Sequence, residues 1–141
     1  MVAARYLLDT NVLSEPLRPR PDPQVVHRLT VHENVISTAA MVAHELLFGW
    51  AKLPASKKKR AIEAYLDDLL ASALEVLPYD HDAARWHAHE RARLERLGRP
   101  VSYRDSQIAA VARVNGLILV TANVGDFSPL SGLTIEDWRS G

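Results

Sequence analysis

The sequence predicts an α/β fold, with a central parallel sheet of about five short strands flanked by helices on both faces. Three observations lead there. Apolar runs too short for helices recur along the chain, bounded by polar or turn residues. Between them lie longer stretches with apolar residues at helical spacing. Most of those stretches open on a capping residue and close on a glycine or near a proline.

Tyr6-Leu7-Leu8 reads as the first buried strand, and Asp9 ends it. A helical segment starts at Asn11 and stops near Pro16. Residues 18–23 hold three prolines and form a loop. Asp22 then caps a helix with Pro23 at its first position, running through Val25, Val26 and Leu29. Val35-Ile36-Ser37 is a second short strand, and Thr38 caps a helix from Ala39 to about Lys52, stopped by Pro54. Ser56 caps a longer helix to about Ala73, with Ile62, Tyr65, Leu66, Leu69 and Leu70 on one side. Val76-Leu77 is a brief third strand. Asp80 caps a helix with Ala83, Trp86, Leu94 and Leu97 in register, closed by Gly98. Ser102 caps the next, with Ile108, Val111 and Ala112 inside and Asn115-Gly116 ending it. Leu117 to Val120 is a continuous apolar strand, and Leu133 to Ile135 an edge strand.

At 141 residues the chain is expected to be one domain, residues 1–141, large enough for its own core. It has no cysteine, which excludes disulfides and thiolate metal sites and suits a reducing cytoplasm. Asp9 interrupts the first apolar run too early for a signal peptide, and no run reaches the roughly 18 apolar residues of a membrane helix. Net charge is zero, which removes a whole-surface electrostatic basis for nucleic-acid binding. Positive charge is clustered at Lys57, Lys58, Lys59 and Arg60, and more loosely at Arg91, Arg93, Arg96, Arg99 and Arg104. Solvated helix faces account for both clusters by default.

Four acids stand where core residues or strand ends are expected: Asp9, Glu45, Asp105 and Asp126. Each has a plain explanation alone. Asp9 can cap the following helix, and Glu45 can face water. Asp105 follows Ser102 at capping-box spacing, and Asp126 can be a turn residue after Gly125. Their combination says more. If the first strand pairs with the Leu117–Val120 strand, Asp9 and Asp126 converge at the carboxyl ends, where ligand sites of such sheets lie. The helix starts at Thr38 and Ser102 then bring Glu45 and Asp105 toward them. Carboxylates so close repel unless a cation intervenes. An all-oxygen cluster suits Mg²⁺ or Mn²⁺, and two ions about 4 Å apart can clamp a phosphodiester and activate water.

"LLDTNVLSE", the Glu45 helix, "RPVSYRDSQIAAVA" and "LILVTANVGDF", ending in "GLTIEDW", resemble in order and spacing the PIN-domain ribonucleases. The likeness is to the VapC-type toxins of bacterial toxin–antitoxin pairs and covers nearly the whole chain. It implies a PIN-like fold and a hydrolase activity: Mg²⁺- or Mn²⁺-dependent endoribonuclease cleavage of transfer or ribosomal RNA, leaving 3′-hydroxyl and 5′-phosphate ends. It implies one or two ions, with Asp9 and Asp105 as principal ligands, Glu45 as a ligand or a supporting acid, and Asp126 as the fourth acid. Asn11, Thr121 and Asn123 match positions that hold the acids or touch phosphate. A homodimer is implied, and an antitoxin that covers the acidic groove and inserts a basic side chain. The chain departs from the pattern at Ala122, where a basic residue is common, and at Tyr103-Arg104, where small or apolar residues are. Arg104 either pairs with Asp105 or touches RNA. Lys57, Lys58, Lys59 and Arg60 are further candidates for RNA contact.

Other readings fit less well. His87 and His89 are two apart on a helix and do not share a face. No glycine-rich loop follows a strand, and no GxSxG elbow is present. A haloacid-dehalogenase-like phosphatase also begins with a strand ending in Asp, but wants a second acid where Asn11 stands. A PIN-like protein that only binds partners would be expected to have lost acids, and all four are here.

Overall fold

The computed structural model describes residues 3–140. Its centre is a five-stranded, all-parallel sheet with strand order β3-β2-β1-β4-β5. The strands are β1 (Tyr6–Leu8), β2 (Ile36–Ala39), β3 (Glu75–Leu77), β4 (Ile118–Val120) and β5 (Ile135–Glu136). The helices are α1 (Thr10–Leu13), α2 (Pro23–Val31), α3 (Ala40–Ala51), α4 (Lys57–Ala71), α5 (His81–Arg96), α6 (Tyr103–Val114) and α7 (Val124–Phe127). A short 3-10 turn, Glu15–Leu17, follows α1. The expected α/β architecture is the one observed.

Burial explains the strand sequences. β1 is buried at all three positions, so it carries no polar alternation. β3 and β5, at the two edges, are partly or fully exposed. Leu7, Leu8, Leu13, Ile108, Leu119 and Val120 form the middle of the core, with no exposed surface. Tyr6 stacks edge-on against buried Trp138, which follows β5 closely in the chain.

The sheet steps outward from β1 in two directions, first to β2 and β3, then to β4 and β5. The crevice at such a reversal lies outside the carboxyl ends of the two central strands. Leu8 pairs with Val120 there, and the ladder continues through the Asp9 N–H donating to the Val120 carbonyl. β2 braces the same end, since the Thr38 hydroxyl donates to the Leu8 carbonyl and the Ser37 hydroxyl to the Tyr6 carbonyl.

Thr38 is therefore not a helix cap, as its sequence position suggests. It is a buried strand residue, and α3 starts after Ala39 with no side-chain cap. The other expected caps form: Asp22, Ser56, Asp80 and Ser102 each accept a backbone N–H in the first turn. Gly98 and Gly116 end α5 and α6 at φ 66°, a left-handed conformation that glycine adopts without a Cβ penalty. β2 is one residue longer and shifted relative to Val35–Ser37, and β5 is shifted toward Glu136. The four-residue helix α7 has no sequence pattern long enough to mark it.

Candidate active site

Asp9 follows β1 directly and has no exposed surface. Its Oδ1 accepts from the Thr10 N–H at 2.7 Å, and its Oδ2 accepts from the Thr121 hydroxyl at 2.9 Å. Asp9 occupies the cap position of α1, yet among the helix N–H groups its side chain meets the neighbouring one and not one a turn ahead. Most of its hydrogen-bonding capacity points across the sheet. Burial of a carboxylate at a strand end is costly without such partners.

The loop after β4 is laced to the loop after β1. The Asn11 side chain accepts from the Ala122 N–H at 3.1 Å and donates to Thr121 Oγ1 at 3.4 Å. Thr121 Oγ1 also accepts from the Asn123 N–H at 3.0 Å. Thr121 is fully buried. Thus Asn11 and Thr121 act on the backbone and on Asp9, and Asn123 joins this network through its own N–H. The Asn11 carboxamide is engaged in fixing the chain, which leaves it no resemblance to a second catalytic acid.

Glu45 and Asp105 reach the same place from two helices. Glu45 sits in the second turn of α3, half-buried, and its Oε1 accepts from the Thr10 hydroxyl at 2.6 Å. Asp105 sits in the first turn of α6, with a side chain 15% exposed. The capping box at α6 is only half formed. Ser102 Oγ accepts from the Asp105 N–H at 3.1 Å, but the Asp105 carboxylate turns away toward Arg104.

Arg104 joins the three acids. Its Nη2 donates to Asp9 Oδ1 at 2.8 Å, to Glu45 Oε1 at 2.8 Å and to Thr10 Oγ1 at 3.2 Å. Its Nε donates to Glu45 Oε2 and its Nη1 to Asp105 Oδ1 at 2.6 Å. Three carboxylates against one guanidinium leave two negative charges in surplus. Burial pulls the Glu45 carboxyl upward, but the bonds from Arg104 and Thr10 outweigh it and hold the group below the usual carboxylate range. The bonds to Glu45, with the charge of Asp9, hold the guanidinium more firmly protonated.

Asp126 is not bonded into this cluster. It is exposed in α7, and no hydrogen bond or ion pair joins its side chain to the other acids among the described residues. Lys57, Lys58, Lys59 and Arg60 open α4, beyond the end of α3 remote from β2. Lys59 is engaged there, donating to the Leu53 carbonyl at 2.8 Å and lying 5.0 Å over the Trp50 ring. Lys57, Lys58 and Arg60 are exposed. One participant, Thr10, is not evident in the sequence, and a second, Arg104, does more than its sequence position indicates. Thr10 bridges Glu45 and Arg104, and its only signal is a hydroxyl directly after the strand-end acid. Arg104 touches all three acids, whereas its position beside Asp105 signals one.

The donor atoms suit a hard divalent cation: every one is a carboxylate or hydroxyl oxygen, and the three acids already converge on one positive group. They are spread around the guanidinium, so among the described residues no set of three acid or histidine side chains closes into a preformed metal cage.

The family model for the PIN domain matches residues 6–129. The chain is 34% identical to the tRNA(fMet)-specific endonuclease VapC of Shigella flexneri over 135 residues, 95% of this chain and 98% of that one. It is 35% identical to Toxin FitB of Neisseria gonorrhoeae over 137 residues, 94% of this chain and 98% of that one. The crystal structure of DNA-bound VapBC from Salmonella typhimurium superposes with a TM-score of 0.83 at 31% identity, covering 96% of this chain and 98% of that one.

Proposed function

This chain belongs to the PIN domain family, and we propose that it is a Mg²⁺- or Mn²⁺-dependent endoribonuclease, the toxin of a toxin–antitoxin pair. One observation carries the chemistry. A fully buried carboxylate, Asp9, lies at the sheet's switch point, and two further acids from separate helices meet it around a single cationic group. The relatives named an endonuclease and a toxin span nearly the same length and supply the reaction class and the biological role.

Asp9, Glu45 and Asp105 would hold the ion, with Asp126 as a fourth acid. Once bound, the ion would supply charge to the phosphate and lower the pKa of water beside it. The chain's own residues do the positioning. Thr121 fixes Asp9 through Oδ2, which keeps Oδ1 aimed at the crevice. Thr10 orients Glu45 by donating to Oε1. Asn11 and Asn123 hold the loop after β4 in reach of a phosphate. Arg104 is the nearest cation to any RNA lying across the acids, and Lys57, Lys58 and Arg60 add exposed charge farther along. A transfer or ribosomal RNA is the substrate, the chain acts as a homodimer in a single PIN domain, and an antitoxin covers the acidic groove. A cytoplasmic location accords with the lack of cysteine. No helix among the described residues is long and apolar enough to cross a membrane.

The test is cleavage of RNA by the wild type and Asp9→Asn in Mg²⁺, Mn²⁺ or EDTA. Cleavage only by the wild type, and only with metal, is expected. Cleavage that survives both EDTA and Asp9→Asn would overturn the reading. Hydrolysis of small phosphoesters with none of RNA would favour a phosphatase.

A further inference from the structure

Arg104 is half-buried by its surroundings, yet every nitrogen of its guanidinium is bonded to an acid of the candidate site. The oxygens it occupies include Asp9 Oδ1, Glu45 Oε1 and Oε2, and Asp105 Oδ1. Asp9 Oδ2 is already engaged by the Thr121 hydroxyl. A divalent cation held by Asp9 and Glu45 together with Asp105 needs oxygens of the first two that are already taken, Asp9 Oδ1 and Glu45 Oε1 or Oε2, whereas Asp105 keeps Oδ2 open. The guanidinium fills the space between the three acids at hydrogen-bond distance, so an ion in contact with the same oxygens needs the volume that the guanidinium takes up. The surplus of negative charge also favours exchange, since a divalent ion neutralises one charge more than a guanidinium does.

The geometry points to Arg104 as a resident counter-cation: it holds the three carboxylates together without metal, and a divalent ion must expel it to bind. This rests on the reading of Asp9, Glu45 and Asp105 as cation ligands. The route outward is short. The side chain is 36% exposed, and Ser102 and Tyr103 beside it are exposed. Leaving costs the guanidinium little solvation, because it moves toward water. Metal affinity is then lowered by the fraction of molecules in which the guanidinium is seated. The metal-free chain, in turn, is spared the repulsion of three unpaired acids.

The experiment titrates Mg²⁺ into the full-length wild type, following by NMR the Arg104 Nε–H and the backbone N–H of Thr10. The Arg104→Met variant assigns the side-chain signal. Both signals are expected to shift with one midpoint, and the Nε–H to lose its protection from solvent exchange. By calorimetry, Arg104→Met is expected to bind Mg²⁺ about tenfold tighter or more, as removal of a dominant competing state requires. Without metal it is expected to melt at a lower temperature than the wild type, and to regain more stability from Mg²⁺. If Arg104→Met fails to fold, Arg104→Lys replaces it. An ammonium cannot reach three acids in the guanidinium's planar fork, so an intermediate affinity is expected. Saturable movement of the Thr10 signal with an unmoved Arg104 Nε–H, or equal affinities in wild type and variant, would overturn the inference and leave the cation reading standing. No saturable shift in either protein would overturn the cation reading, and the inference with it.

Discussion

Glu90 and Asp9 are both buried carboxylates bonded to an arginine, and they differ in how the charge closes. Glu90 on α5 is 7% exposed. Its two oxygens accept from Arg93 Nε and Nη2 at 2.9 and 2.8 Å, and Oε1 also accepts from the Ser131 N–H at 2.7 Å. Arg93 uses Nη2 again on the Pro129 carbonyl at 3.0 Å. One acid meets one base, and the pair ties α5 to the loop before β5. At Asp9 the same type of base is divided among three acids. A balanced pair fastens the fold. An unbalanced one keeps capacity for a cation of higher charge in the same place, which is the mark of a site.

The largest effects should separate the two regions cleanly. Asp105→Asn is expected to lower metal-dependent RNA cleavage by at least about 100-fold, while stability without metal stays the same or rises, because one of three repelling carboxylates is gone. Glu90→Ala is expected to do the reverse. It costs on the order of 2 kcal/mol, at the low end for a charged hydrogen-bonded network because Arg93 keeps contact with water. The activity of its folded fraction should be unchanged. Urea denaturation and a cleavage assay on the same preparations decide this. If both properties fall together in both variants, the contrast between fastening and binding is wrong.

A smaller effect sharpens the contrast through pH. The hydrogen bonds from Arg93 bring the Glu90 carboxyl down to about 2 from its ordinary 4.5, against the upward pull of burial. Folded chain therefore binds this proton less readily than unfolded chain. Its contribution is complete above about pH 4.5 and is lost as pH falls toward about 2. Stability of the wild type should decline across that window, and Glu90→Gln should decline less steeply. Equal slopes in thermal melts would show that other carboxylates govern acid unfolding.

Much of the fold, and the acid side of this contrast, is legible in the order of residues alone. Strand β1, its partner β4, and the caps Asp22, Ser56, Asp80 and Ser102 follow from short-range patterns, and so does the meeting of Asp9, Glu45 and Asp105 near one sheet end. The departures share a cause, which is contact between residues far apart in the chain. Thr38 resembles a cap because hydroxyls before apolar helices usually are, but tertiary burial makes its hydroxyl a donor to Leu8. Arg104 resembles a partner for one acid, since neighbours in sequence reveal only adjacent contacts. Its reach to Asp9 spans 95 residues. Glu90 and Arg93 resemble a solvated helix face, because the loop that buries Glu90 arrives from Ser131, far along the chain.

The smallest effect concerns the start of α6, where a cap and a site residue are one turn apart. Ser102 Oγ accepts from the Asp105 N–H, whereas the Asp105 carboxylate bonds Arg104 and not the helix end. Ser102→Ala should then cost about 1 kcal/mol, the usual value of a lost N-terminal cap, and leave cleavage nearly intact. Asp105→Asn should show no such loss, because the N–H of residue 105 keeps its acceptor whatever side chain it carries. Chemical denaturation of the two variants at neutral pH measures the difference. A larger loss at Asp105 than at Ser102 would mean that the acid holds the helix, and its place among the three carboxylates would then be a consequence of capping.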